Sequence, residues 1–596
     1  MKNKFEEMKS HDLQHMNRTQ LRIFQHKLFK PTACMILIST VLGLMSCAKS
    51  PSPEQAVLVS PVPAPTAAEA QAEQAMASTA LTRRVAHPSV KNAPAPSYAA
   101  HSMAPARQSN PFVQSGLYEQ KPVLIQDREQ YQNTESNPVK SVQKEPVSTF
   151  SIDVDTGSYA NVRRFLNDGR LPHAGAVRIE EIVNYFDYQY PQVKSGHPFT
   201  VNVETVDSPW QAHAKLIRIG IKANDIEYAK LPPANLIFLV DISGSMDSDD
   251  KLGLVKKTLR ILTEQLRAED QVSIVTYASG EQVVLSKASG RDKDKILKVI
   301  NQLRAEGATS GQRAIEMAYA EAQKNFIKGG INRILIATDG DFNVGITNFD
   351  TLKNMVAEKR KTGISFTSLG YGTGNYNEKL MEQLADAGDG NYSYIDSEKE
   401  AKKVVQRQLS STLATVAQDV KIQVEFNPAT VKEYRLVGYE NRMLNQEDFN
   451  NDQVDAGDIG AGHTVTAIYE IIPIGQQGWL NESRYQKGVD QSDAKTTEYA
   501  FLNLRYKKPG QNQSILLQHP IAKQSRPFKQ ATADTQFAVA VASYAQQLKD
   551  GKYNGAMQWS DILKLAQANV AKDTFGLRQE FVELVKIAQS LSSTKP

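Results

Sequence analysis

The stretch Leu236-Ile-Phe-Leu-Val240-Asp241-Ile-Ser243-Gly-Ser245 puts five consecutive apolar residues directly before an alternating series of oxygen-bearing side chains. A short, unbroken apolar run ended by turn-forming residues reads as a strand buried on both faces. Outward from it, the segments Gln271–Tyr277, Arg333–Ala337 and Ile364–Leu369 repeat that character, with helical patterns between them. The clearest helix carries Leu252, Val255, Leu259, Leu262 and Leu266 at three- and four-residue spacing and is started by Asp247 to Asp250. Glu281–Leu285 follows a tight Ser279-Gly280 turn, which makes it an antiparallel edge strand. Strands alternating with helices predict an α/β fold with a doubly wound, mixed sheet.

In open sheets of this kind ligands bind beyond the carboxyl ends of the strands. Asp241, Ser243 and Ser245 sit there, and a curled loop, permitted by Gly244, lets their oxygens converge. Carboxylate and hydroxyl oxygens are hard donors that suit Mg²⁺, Mn²⁺ or Ca²⁺, with magnesium the default, and not a zinc or copper site. Two further segments belong beside them. Gly307-Ala-Thr309-Ser-Gly311 leads into a helix around Ala314 to Phe326, and Thr338-Asp339-Gly340 follows the strand ending at Ala337. Singly, each is matched by a plain turn or helix cap.

Taken together and in this order, the three segments resemble the metal-ion-dependent adhesion site of von Willebrand factor A domains, which have a Rossmann-like sheet. The resemblance implies that Ser243, Ser245 and Thr309 contact the metal through hydroxyls while Asp241 and Asp339 act largely through water. Neutral hydroxyls leave a divalent cation under-neutralised. The expected partner is therefore a protein that offers an acidic residue to complete the coordination.

The chain has 596 residues, too many for one core, and a formal charge of +4. Residues 1–46 hold seven Lys/Arg against three Asp/Glu, so the remainder is nearly neutral and makes no electrostatic case for nucleic acid. The two cysteines, Cys34 and Cys47, both lie near the N-terminus, so no disulfide framework supports the folded part. Ala33 to Met45 is apolar, follows Arg22, Lys27 and Lys30, and has the length of a signal-peptide core rather than of a membrane span. Leu44-Met-Ser-Cys47 resembles the bacterial lipobox, with Met45 in place of the usual small residue, and the stretch before Met16 is long for such a leader. The resemblance implies a bacterial cell-envelope protein held to the membrane by a lipid on Cys47, at the outer membrane given Ala48.

The boundaries follow: a leader at 1–46, a Pro/Ala-rich tether at 47–115 too poor in large apolar residues to fold, a small α+β accessory module at 120–230, the α/β domain at 235–412, and a β-rich module with terminal helices at 413–596. In the accessory module Ser148–Asp155 reads as an alternating strand, Tyr159–Leu166 and Val177–Phe186 as helices. Asp153 and Asp155 read as a solvent-facing strand edge, since a calcium loop would need a glycine and a distal Glu that are missing. Period-two alternation in Val420–Phe426, Thr464–Ile471 and Tyr499–Tyr506 reads as a β-sandwich, followed by helices at Thr535–Leu548 and Ser560–Leu591. The flanks, including Arg178-Ile-Glu-Glu-Ile-Val-Asn-Tyr-Phe186 and Tyr434-Arg-Leu-Val-Gly-Tyr-Glu-Asn441, resemble bacterial von Willebrand factor A lipoproteins with an N-terminal extension and a C-terminal domain of unassigned function.

Two other functions compete with binding. A metal-dependent hydrolase would need a base, yet the ten histidines are scattered and neither His-Glu-x-x-His nor Gly-x-Ser-x-Gly occurs. Gly370-Tyr-Gly-Thr-Gly374 lacks the Lys-Ser/Thr ending of a phosphate loop. No catalytic residue and no small-molecule cofactor are expected. The other rival is a scaffold that works through its C-terminal module.

Overall fold

The computed structural model describes residues 128–192, 196–308, 311–340, 349–411, 414–481, 496–571, 573 and 575–593. The leader, the tether, Cys47 and Thr309 lie outside the described residues.

In chain order the first elements are β1 (Lys140–Ser141), β2 (Val147–Ser151), α1 (Gly157–Asn167), α2 (Ile179–Asn184), β3 (Phe199–Asp207) and β4 (Lys215–Ala223). The α/β domain follows with β5 (Ala234–Asp241), α3 (Leu254–Gln265), β6 (Gln271–Tyr277), β7 (Glu281–Ser289), α4 (Lys293–Gln302) and α5 (Gly311–Lys324). It continues with β8 (Ile331–Thr338), α6 (Phe349–Arg360), β9 (Ser365–Gly370), α7 (Glu378–Ala387), β10 (Tyr392–Tyr394) and α8 (Glu398–Ser411). The last strands are β11 (Thr415–Phe426), β12 (Val431–Val437), β13 (Met443–Leu444), β14 (Ile459–Gly460), β15 (Thr464–Pro473), β16 (Glu498–Lys507) and β17 (Ser514–Ala522). Three helices close the chain: α9 (Ala533–Lys549), α10 (Trp559–Ala568) and α11 (Leu577–Ser593).

The α/β sheet runs β10-β9-β8-β5-β6-β7, parallel throughout except for β7, the antiparallel edge expected from the Ser279-Gly280 turn. Central β5 shows why its sequence is a continuous apolar run. Leu236, Phe238 and Val240 enter one core with Leu252, Val255, Leu259 and Leu262, while Ile237 and Leu239 enter another with Ala314, Ile315, Leu380 and Leu384. Both faces are covered by helices, so alternation would have stranded polar groups inside. Full burial of each such leucine or isoleucine contributes about 1.5–3 kcal/mol.

The flanking stretches 120–230 and 413–596 do not fold as two separate modules. Strands from before and after the α/β domain share one five-stranded sheet, β1-β12-β15-β4-β3, and a second sheet, β13-β2-β11-β16-β17. Phe150 on β2 faces Ile422 on β11, and Ile219 on β4 faces Ala467 on β15. The two sheets share a core of Phe150, Ile219, Ile422, Phe426, Tyr469 and Leu502. The opposite face of the first sheet, through Leu216 and Ile468, packs on α1, α2, α9 and α11 around Phe537 and Phe581. The β-sandwich is thus real, but both flanks build it, and the α/β domain is inserted into it. A period-two pattern defines a strand's faces and leaves its pairing partner open, which is why spacing alone suggested two modules.

Two smaller expectations also change. Asp153 and Asp155 are buried at 3% and 4% exposure rather than solvent-facing. Arg442 binds both at 3.1 Å, and Asp155 Oδ1 accepts the N–H of Tyr392, so Asp155 docks the sandwich onto β10. The single helix expected from Ser560 to Leu591 is two, α10 and α11. Gly576 takes a positive φ of 66°, and Asp573 accepts the N–H groups of Leu577 and Gln579, capping a fresh helix start. No helix among the described residues is long and apolar enough to cross a membrane.

Candidate functional site at the sheet edge

β5 and β8 are adjacent parallel strands, paired from Ala234↔Ile331 to Val240↔Ala337, so their carboxyl ends deliver Asp241 and Asp339 to one edge. Both carboxyl-bearing residues are fully buried. Asp241 Oδ1 accepts the N–H of Ser243 at 2.9 Å, which curls the chain back and places the Ser243 and Ser245 hydroxyls 3.1 Å apart. Ser245 is exposed, so the cluster opens to solvent on that side.

The third segment approaches through its backbone. Gly244 N–H donates to the Gly307 carbonyl at 2.9 Å, and Glu306 N–H to that of Ile242 at 2.7 Å. Gly307 must be glycine for this approach: its φ is +80°, and a Cβ there would stand 2.3 Å from Ser279 Oγ. Thr309 itself is outside the described residues, two positions beyond this contact.

Sequence reasoning missed three residues. The Thr338 hydroxyl donates to Asp241 Oδ2 at 2.7 Å and so fixes the carboxylate; it stood in the quoted Thr338-Asp339-Gly340 but was given no role. Lys251 Nζ lies 3.0 Å from Asp339 Oδ2, and Asn375 Nδ2 donates to the same oxygen at 3.0 Å. Lys251 comes from a single π-type turn, Asp249–Gly253, preceding α3, and Asn375 from the loop after β9. Neither position carries a local signal. Only the winding of the sheet brings them to Asp339.

The electrostatics are those of a cation cradle. Burial, reinforced by the charge of Asp339, pushes the Asp241 carboxyl up to about 6, against the bonds from Ser243 and Thr338 that favour its ionised form. Two buried carboxylates with neutral hydroxyls beside them fit a hard divalent ion. Asp241, Ser243, Ser245 and Asp339 would hold it, and the ion would supply an electrophilic centre for an oxygen ligand. Among the described residues no group of three or more His, Cys, Asp or Glu side chains could hold a metal, so a softer, histidine- or cysteine-built site is not found there.

Three stretches of the chain match known protein families. Residues 235–407 match the profile of the von Willebrand factor type A domain, residues 411–591 that of the C-terminal region of uncharacterized protein YfbK, and residues 125–218 one described as von Willebrand factor. Uncharacterized protein YfbK of Escherichia coli is 45% identical over 471 residues, spanning 78% of this chain and 81% of that protein. The inter alpha-trypsin inhibitor heavy chain 4 of Mus musculus is 28% identical over 175 residues, spanning 28% of this chain and 18% of its own length. Among solved structures, a von Willebrand factor type A protein from Catenulispora acidiphila aligns with 66% of this chain and 92% of its own, at 16% identity and a TM-score of 0.37.

Proposed function

Because this chain belongs to the YfbK family of von Willebrand factor type A domain proteins, we propose that it binds a protein partner through a divalent metal bridged to a partner carboxylate. Domains of this type in general mediate protein–protein interaction, often through a metal site, and mostly serve adhesion rather than catalysis. What supports the finer reading is the convergence of Asp241, Ser243, Ser245 and Asp339 at the carboxyl edge of one sheet, where two neutral hydroxyls stand beside two buried acids. The metal in this reading is Mg²⁺, with Mn²⁺ or Ca²⁺ as substitutes.

The reading extends to place. Cys47 carries the lipid, the tether spaces the folded part from the bilayer, and the protein works in the bacterial cell envelope at the outer membrane. Acyl anchoring contributes about 0.8 kcal/mol per buried methylene, so Cys47→Ser is expected to move the protein from the membrane to the soluble fraction.

The experiment for binding is a pull-down from envelope extract with the wild type and Asp241→Ala. Retention that is lost with EDTA, restored by Mg²⁺ and absent in the variant supports metal bridging. A partner retained under EDTA by a correctly folded Asp241→Ala protein sinks it and points to the sandwich as the binding surface.

A further inference from the structure

We propose that Lys251 is a built-in counter-cation of the metal edge, which makes tight metal binding depend on an anionic group supplied from outside; this rests on the metal-bridging reading above. The lysine is only 8% exposed, and its ammonium donates to Asp339 Oδ2 at 3.0 Å and to Asn375 Oδ1 at 2.8 Å. Its stem lies where a side chain at position 372 would be. A Cβ on Gly372 would stand 2.3 Å from Lys251 Cγ and 2.4 Å from Cε, and the φ of +76° also selects glycine. The glycine-rich Gly370-Tyr-Gly-Thr-Gly374, which is no phosphate loop, here makes room for a buried lysine.

The loop carrying Asn375 is itself held. Gly374 N–H donates to Glu129 Oε1 at 2.9 Å, and the Gly374 carbonyl accepts the N–H of Arg128 at 2.8 Å. The cation is therefore positioned from three sides rather than resting against the site by chance.

Charge counting gives the consequence. Asp241 and Asp339 alone would balance a divalent ion, and the hydroxyls of Ser243 and Ser245 add no charge. With the Lys251 ammonium beside Asp339, a bound divalent ion leaves one positive charge uncompensated by the described residues that converge on the edge. Asp247, Asp249 and Asp250, around the turn that carries Lys251, and Glu306 beside Ile242 are exposed, where solvent and salt screen them. A carboxylate from a partner supplies the missing charge, so metal and carboxylate each tighten the binding of the other by the same factor.

Calorimetric titration of the full chain with Mn²⁺, with acetate or with chloride at equal ionic strength, tests this. Lys251→Met is expected to bind Mn²⁺ about tenfold more tightly in chloride than the wild type, and to lose most of the benefit of acetate. Lys251→Arg keeps the charge and is expected to stay near the wild type, while Lys251→Gln is a second neutral variant should Met disturb the fold. Neutral variants that bind Mn²⁺ no more tightly, while Asp241→Ala abolishes binding, overturn the role of Lys251 alone. Wild-type protein that fails to bind Mn²⁺ even with acetate, or binding that survives Asp241→Ala, overturns the metal-bridging reading itself.

Discussion

Arg178→Met would test what joins the α/β domain to the sandwich. Arg178 is 2% exposed, and its guanidinium meets Glu181 at 2.8 Å, Glu382 at 2.6 Å, and Glu378. Two of these partners lie on α7 and one on α2, so a single cation ties two elements that share no backbone pairing. Methionine keeps the apolar stem and removes the charge, leaving three buried carboxylates without their main counter-ion. Removing one partner of a buried ion pair costs about 3–5 kcal/mol. Burial already pushes Glu181, Glu378 and Glu382 each up to about 7, with Arg178 opposing the rise. Without Arg178 they rise further and can take up protons, which relieves the loss by about 1.4 kcal/mol per pH unit for each group that titrates. The expected destabilisation is therefore about 3–5 kcal/mol at pH 8 and much smaller at pH 5.5. Guanidinium unfolding followed by tryptophan fluorescence would read it, because Trp210, Trp479 and Trp559 all lie in the flanking stretches that build the sandwich. An equal loss at both pH values, or a double variant Arg178→Met/Glu378→Gln no more stable than the single one at pH 8, would refute the electrostatic account.

Three further outcomes are expected. In the wild type, Glu180 is pushed up to about 8 and Glu181, Glu378 and Glu382 to about 7, chiefly by burial, so the folded state holds protons the unfolded chain has released; their contribution is full below about 4.5 and is lost as pH rises through 7 to 8. Glu400, pulled down to about 2 in the presence of Lys403 and Arg163, is already ionised in both states above about 5, so the melting temperature should fall from pH 5.5 to pH 8, and a flat or rising profile would contradict this. Leu259→Ala removes a 1%-exposed side chain between α3 and the sheet and should cost about 2–5 kcal/mol in the same unfolding assay. Gly372→Val should cost about 1–3 kcal/mol by displacing the lysine stem, and it should tighten Mn²⁺ binding in the manner of Lys251→Met; unchanged stability would mean that the loop yields easily.

The α/β domain was legible in the sequence because burial on both faces writes an unbroken apolar run, and a ligand edge follows from where such strands end. The placement of Asp241, Ser243, Ser245 and Asp339 at that edge was readable for that reason. Lys251 and Asn375 were not: they stand 88 and 36 positions from Asp339, on a turn and a loop with no distinctive pattern of their own. Asp153 and Asp155 were misread for the same cause. Their partner Arg442 is nearly 290 positions away, and an unpaired view of two acids on a strand favours the solvent. The terminal helix pair was blurred because both helices keep apolar spacing across a break made by Asp573 and Gly576.

The insertion of the α/β domain also sets an order of events in time. β2 pairs with β11 and β13, so nothing made before the inserted domain can complete its sheet. From Ser151 to Thr415 the chain advances 264 positions (415 − 151), so β2 has no strand partner until that whole stretch is available. The α/β domain, whose strands and helices lie within one continuous stretch, can close its sheet without any flanking strand. Until its partners arrive β2 is an unpaired strand carrying Phe150, a sticky edge during folding that the finished molecule no longer exposes.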